Sequence, residues 1–133
     1  MDKGVLTRID ESEKESADLD FKSAFDPAAP QDWCELIKDI VAMANSGGGL
    51  IVFGVNDDGS PAAVDLKQIL ALDPATIVDK IEKYTDQHFA DFSLCSGARR
   101  GCPVAALSVS SVPVPIVFTA PGTYDVGGGK QKA

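Results

Sequence analysis

Three carboxylates and one lysine carry the most specific chemistry that the sequence offers. Glu15 and Asp20 flank the first predicted strand, and Lys22 lies on the same strand face as Asp20. Asp58 follows a second, buried strand, so the three carboxylates converge if the two strands are neighbours. Carboxylate oxygens hold hard divalent cations, a bound metal activates water, and a lysine neutralises phosphate charge. The pattern therefore suits a metal site for phosphodiester cleavage, although carboxylates in turns and at strand ends are common in any acidic chain.

Residue counts and spacing exclude several other kinds of site. A single histidine, His88, rules out a His-rich metal site, and the three cysteines lack metal-ligand spacing. A phosphate-binding P-loop fails at Gly129-Lys130, because Tyr124 stands where the first glycine is needed and Gln131 follows the lysine. The glycines at 47–49 lead from a helix into a strand, whereas phosphate cradles lie at helix N-termini.

Charge is distributed unevenly along the 133 residues, whose formal net charge is −8. This balance argues against binding of nucleic acid by bulk electrostatics alone. Residues 95–133 nevertheless hold four basic residues and one acidic residue. The stretch is either a solvated face or an edge that contacts phosphates. Its candidate nucleic-acid-binding residues are Arg99, Arg100, Lys130 and Lys132.

Hydrophobic periodicity predicts an α+β fold, with a mixed β-sheet and two main helices packed on it. Apolar residues recur at helical spacing over residues 32–45, and Asp73-Pro74 opens a second helix as N-cap and first helical residue. A short helix or loose lead-in is predicted over residues 6–14. Strands are predicted over residues 17–22, 50–55, 90–96, 104–110 and 114–120, with a turn at 97–102 between the third and fourth.

The length and composition fit one domain over residues 1–133, which we expect to be cut from a longer protein. Residues 127–133 are predicted to be a flexible tail, because they follow a turn without a closing strand. No apolar run is long enough for a membrane span, so no membrane partner is expected. Three cysteines without close pairing, and no signal peptide, predict a reducing, cytoplasmic compartment.

Three motifs in order resemble those of the Schlafen/AlbA-type DNA-binding domain family, earlier described as a divergent AAA module. Residues 15–22, ESADLDFK, are similar to its opening E-S-x-x-x-E-F-K. Residues 42–49, AMANSGGG, match A-x-A-N-x-x-G-G, and residues 54–59, GVNDDG, match G-V-x-D-D-G. The resemblance covers about residues 5–125 and implies a mixed sheet with flanking helices and a role connected with nucleic acid.

The resemblance also implies site residues. Eukaryotic Schlafen relatives include metal-dependent RNases, and their motif falls on Glu15, Asp20, Lys22 and Asp58 of this sequence. The chain departs from the family at Asp20, where glutamate is usual. The aspartate side chain is one methylene shorter, so its carboxylate oxygens lie closer to the backbone. The nucleases also pair two such lobes, while bacterial relatives mostly carry the module as the N-terminal part of a regulator.

Three functions follow as competing hypotheses. The leading one is a nucleic-acid-binding or transcription-regulatory module, non-enzymatic on its own and requiring no cofactor. The second is a metal-dependent endoribonuclease lobe, in which Glu15, Asp20 and Asp58 hold Mg²⁺ or Mn²⁺. The third is a protein-interaction or oligomerisation domain, which the acidic net charge favours. The expected partners are DNA or RNA, or a second copy in a homo-oligomer.

Overall fold

A computed structural model describes residues 3–12, 15–16, 18–118, 123–126 and 129–132 of the chain. These residues form an α+β fold, as the sequence predicts. The helices and strands in chain order are α1 (Lys3–Glu11), β1 (Leu19–Lys22), α2 (Pro30–Asn45), β2 (Gly49–Phe53), α3 (Lys67–Leu70), α4 (Pro74–Thr85), β3 (Phe92–Arg99), β4 (Cys102–Val109), β5 (Thr123–Val126) and β6 (Gly129–Lys132).

The main sheet is mixed and has four strands in the order β1-β2-β4-β3. β1 and β2 run parallel, with Leu19 opposite Leu50, and α2 forms the crossover between them. β4 pairs antiparallel with both β2 and β3. The two candidate strands of the first motif are thus neighbours, which confirms the premise of the site prediction.

Two apolar clusters cover the two faces of this sheet. On one face, alternate residues of β2 and β4, such as Ile51 and Leu107, pack against α2, α3 and α4. On the other face, Leu19, Phe21 and the remaining alternates of β2 and β4 pack against Ile9 of α1. Since successive side chains of a strand point to opposite faces, Asp20 and Lys22 lie on the α2 side of β1. The first strand therefore presents an apolar face to α1 and a charged face to α2.

The hairpin between β3 and β4 is tighter than predicted. Its turn is Arg100-Gly101 rather than residues 97–102, and both residues have positive φ, at 50° and 81°. Two such residues form the type I′ turn that matches the twist of a hairpin, so the strands run on to Arg99 and Cys102.

The predicted strand at 114–120 is wrong in its described part, residues 114–118, which have no regular secondary structure. Prolines 113 and 115 offer no N–H groups to a sheet. Side chains hold this segment instead. Asn45 of α2 bonds both the N–H and the carbonyl of Ile116, at 2.8 Å each, and Gln87 accepts from the N–H of Val117 at 3.2 Å.

Further along the chain, β5 and β6 form a separate two-stranded antiparallel sheet. Part of the predicted tail, Gly129–Lys132, is therefore a strand, while residues 127, 128 and 133 lie outside the described residues. The flexibility of this segment stays a prediction. Within the described ranges, no helix has both the length and the apolar character to cross a membrane.

Candidate functional site

Lys22 lies between two carboxylates on the α2 side of β1. Its Nζ is 3.1 Å from Oδ2 of Asp20 and 2.6 Å from Oδ2 of Asp39, which α2 contributes. Although Asp20 Oδ2 is within ion-pair distance of Lys22, it is buried and accepts no well-aligned hydrogen bond in the described part of the chain. The structure therefore brings together two of the predicted residues, Asp20 and Lys22, and adds Asp39, which is not among the residues predicted from the sequence.

The electrostatics of this cluster are unbalanced, because two carboxylates face one ammonium group. Burial acts to lower the pKa of Lys22, but its hydrogen bond to Asp39 and the charges of Asp39 and Asp20 outweigh burial and raise it. Burial raises the pKa of Asp39, and repulsion from Asp20 adds to the rise against the opposing effect of Lys22. The cluster therefore favours the charged form of Lys22 and disfavours the charged form of Asp39.

The carboxylate of Glu15 is engaged in a hydrogen bond at the outer edge of β1. Its carboxylate accepts a hydrogen bond of 2.9 Å from the backbone N–H of Phe21. β1 pairs with β2 on its other side, so this N–H belongs to the unpaired edge of the sheet. The carboxylate thus satisfies a strand edge that would otherwise lack a partner.

Asp58 is also engaged, in the turn after β2. Its Oδ1 accepts hydrogen bonds from the backbone N–H and the hydroxyl of Ser60, at 2.9 and 2.6 Å. These bonds lower the pKa of Asp58, with a smaller contribution from the charge of Arg100. Its neighbour Asp57, by contrast, lines a pocket of about 190 Å³ together with Lys22 and Glu35. Asp57 is not among the site residues predicted from the sequence, yet it is the carboxylate of this turn that lines a pocket with Lys22.

The predicted metal set of Glu15, Asp20 and Asp58 is therefore not assembled. Two of the three carboxylates accept hydrogen bonds from the protein, and the third lies beside Lys22. Within the described ranges, no group of three or more His, Cys, Asp and Glu residues is arranged to hold a metal ion. As arranged, these residues do not fit Mg²⁺ or Mn²⁺, and we derive no hydrolytic step through a metal.

Arg99 cannot serve as the phosphate contact that the charge pattern suggested. Its side chain is fully buried, and its guanidinium donates to the carbonyls of Gly59 at 2.8 Å, Ile9 at 2.9 Å and Ser12. The group also lies over the ring of Phe21, 4.9 Å from its centroid. Burial lowers the pKa of Arg99, and the charge of Arg100 adds to this, but an arginine stays charged at neutral pH. Its role is to join α1, β3 and the turn after β2.

The other basic residues that the sequence predicts to bind nucleic acid lie in the β3–β4 turn and in β6. Arg100 is exposed at the tip of the β3–β4 hairpin, where its backbone N–H donates to Asp10 Oδ1 at 2.6 Å. Lys130 and Lys132 belong to β6, opposite Asp125 and Thr123 of β5. The contact of these three residues with nucleic acid stays a prediction.

Comparison with known protein families gives a match to the family described as Schlafen, AlbA_2 over residues 15–120. The matched range includes the cluster of Asp20, Lys22 and Asp39, the turn after β2 and the β3–β4 hairpin. No curated protein matches the chain.

Among solved structures, the chain is similar to the crystal structure of the DIP2311 protein from Corynebacterium diphtheriae. The sequences are 17% identical and the TM-score is 0.55. The match covers 98% of this chain and 29% of that chain, so this chain spans less than a third of the length of that protein. At this identity the likeness shows the fold alone.

Proposed function

The chain belongs to the Schlafen, AlbA_2 family, and on that premise we propose that it is a nucleic-acid-binding or transcription-regulatory module without catalytic activity of its own. The family match is the observation that carries the proposal. It spans residues 15–120, which include both faces of the main sheet and the exposed hairpin. The proposal has two elements that contact DNA or RNA. One is the tip of the β3–β4 hairpin, and the other is β6 with its two lysines.

The state of the family's site residues favours binding over cleavage. Lys22 is the residue that would face a scissile phosphate, and its charge is already compensated by Asp20 and Asp39. Glu15 and Asp58 hold backbone N–H groups of the protein itself. A nuclease would need Glu15, Asp20 and Asp58 to converge on one ion, whereas a binding module can keep all of these contacts.

Arg100 is the proposed phosphate contact at the hairpin tip. The turn geometry and the bond from its backbone to Asp10 fix the backbone, while the exposed guanidinium remains accessible to solvent. Because the chain carries a net charge of −8, contact with a polyanion requires a local cationic area, and binding must weaken as salt rises with a slope set by the few phosphates that this area contacts.

The test is a salt titration of the whole chain with fluorescent single-stranded and duplex DNA and RNA. We expect binding at low salt, and Arg100→Ala should reduce the slope of log affinity against log salt by about one. Lys38→Ala is the matched control, because it removes an equal charge from the exposed face of α2. Absence of binding to all four probes, or equal effects of the two variants, would overturn the proposal. Cleavage of RNA with Mn²⁺ that Lys22→Ala abolishes would overturn its non-enzymatic part.

A further inference from the structure

The two outer edges of the four-stranded sheet are treated differently. At the β1 edge, Ser16 forms a bridge with Leu19, with N–H to carbonyl distances of 3.0 and 3.2 Å. The Glu15 carboxylate then covers the next outward N–H, that of Phe21. This edge is closed by the chain itself, which is one of the ways in which proteins prevent unwanted strand pairing.

The β3 edge is open in the described part of the chain. A two-residue turn makes Arg99 and Cys102 a hydrogen-bonded pair, so the odd-numbered residues of β3 bond to β4. The bond from Ser110 N–H to the Asp91 carbonyl continues the same alternation. The outward N–H and carbonyl groups belong to Phe92, Leu94, Ser96 and Ala98, and no described residue hydrogen-bonds to them.

The composition of this edge does nothing to block an added strand. Residues 92–98 read FSLCSGA and contain no charged residue and no proline, the two residue classes that usually protect an edge. Ser93, Ser96 and Ala98 are exposed, and no bulge interrupts the pairing of β3 with β4. An eight-residue strand is long enough to hold a partner through main-chain hydrogen bonds.

Charges stand only at the two ends of the strand, and they have opposite signs. Asp91 precedes β3 and Arg100 follows it, and both are exposed. Antiparallel pairing of two identical strands places the Asp91 end of each beside the Arg100 end of the other. Parallel pairing would place like charges together, which is unfavourable.

We propose that β3 is a homodimerisation edge, at which the β3 strands of two copies of this chain pair antiparallel to form one continuous eight-stranded sheet. The self-complementary charges at the two ends of the strand, on either side of the uncharged residues 92–98, select a second copy as the occupant. The acidic net charge of −8 makes such an edge the place where two copies meet with least repulsion. The inference rests on the edge geometry and does not depend on nucleic-acid binding.

Sedimentation of the whole chain over a range of concentrations tests the dimer. We expect a reversible dimer in the high micromolar range, and Ser96→Lys should convert it to a monomer by adding a charge at the centre of the edge. Ser96→Pro should do the same, because it removes an outward N–H that the bond network with β4 does not use. Thr76→Lys adds the same charge on an exposed turn of α4 and should leave the dimer intact. Circular dichroism checks that each variant is folded.

Disulfide cross-linking locates the interface. In antiparallel pairing, the two copies of residue 95 or of residue 96 meet about 4.5 to 5.5 Å apart between Cα atoms, which is within disulfide range. Two single-cysteine proteins are needed, one retaining Cys95 and one carrying Ser96→Cys, each oxidised by diamide. A covalent dimer with either supports the proposal. A monomeric wild type, a dimer that both Ser96 variants retain, or no cross-link at either position would overturn it.

Discussion

Arg99 is the largest fully buried side chain in the described part of the chain, and its three carbonyl acceptors come from two segments, the end of α1 and the turn after β2. Arg99→Ala removes these charged hydrogen bonds and takes the guanidinium donor away from the carbonyls of Gly59, Ile9 and Ser12. Since hydrogen bonds to charged groups contribute about 1.5–3 kcal/mol each and unsatisfied buried groups cost more, we expect a loss of about 3 kcal/mol or more.

Urea denaturation measures this loss as a change in the free energy of unfolding. Arg100→Ala is the natural control, because it removes the same group from the adjacent, exposed position and should change stability by less than about 0.5 kcal/mol. Similar losses for the two variants would contradict the structural role of Arg99.

Asp20→Asn tests the excess of negative charge around Lys22. Removing the charge of Asp20 favours ionised Asp39, so the pKa of Asp39 should fall from its raised value toward the usual range. A raised carboxyl pKa means that the folded state disfavours the charge at neutral pH, and the variant should therefore be at least as stable as wild type at pH 7. Lys22 keeps its 2.6 Å contact with Asp39 in this variant.

The measurement is an NMR titration of the Asp39 carboxyl carbon, with Asp57→Asn as a control that removes a carboxylate from the neighbouring pocket. An unchanged Asp39 pKa in the Asp20 variant, or a fall of equal size in both variants, would show that repulsion from Asp20 does not add to the rise that burial causes.

At the scale of elements, the closed edge of β1 depends on Glu15. Glu15→Ala leaves the Phe21 N–H without its acceptor, and we expect a loss of about 1–2 kcal/mol and faster hydrogen exchange at that amide. Glu15→Gln keeps an oxygen acceptor at the same place and should retain most of the protection. Equal exchange at Phe21 in the two variants would argue against edge closure as the role of this residue.

The elements that the sequence predicted well are those whose burial pattern is local. The apolar repeat of α2 and the cap at Asp73, which accepts from Ala75 N–H at 2.9 Å, could be identified without tertiary information. Arg99 could not, because its acceptors lie up to 90 residues away and the residue type alone suggests solvent. The contact of Asp39 with Lys22 was missed for the same reason, since it depends on how the α2 crossover lies against β1.

At the scale of the whole molecule, Asn45 connects the helical layer to the chain beyond β4. Its side-chain amide both donates to and accepts from Ile116, so Asn45→Ala removes two hydrogen bonds from one place. We expect residues 111–118 to become sensitive to limited proteolysis while the main sheet stays folded. Asn56→Ala, which removes a single local bond to Ser60, is the control and should leave that segment protected. Resistance of the Asn45 variant would mean that the burial of Ile116 and the bonds of Val112 and Val117 suffice to hold the segment.

The bond from the Arg99 guanidinium to the Ile9 carbonyl has a consequence for the order in which the protein is made. A ribosome delivers α1 first, yet the group that fastens α1 to the sheet is synthesised 90 residues later. Strand β3, against which α1 packs, is also delivered late, as are Val104 and Ala106 of β4, which cluster with Ile9. The residues of β1 and β2 that pack with Ile9 are delivered early, whereas Arg99 and the residues of β4 in the same cluster come late. Vectorial synthesis therefore completes the packing of the first helix only after most of these residues have emerged.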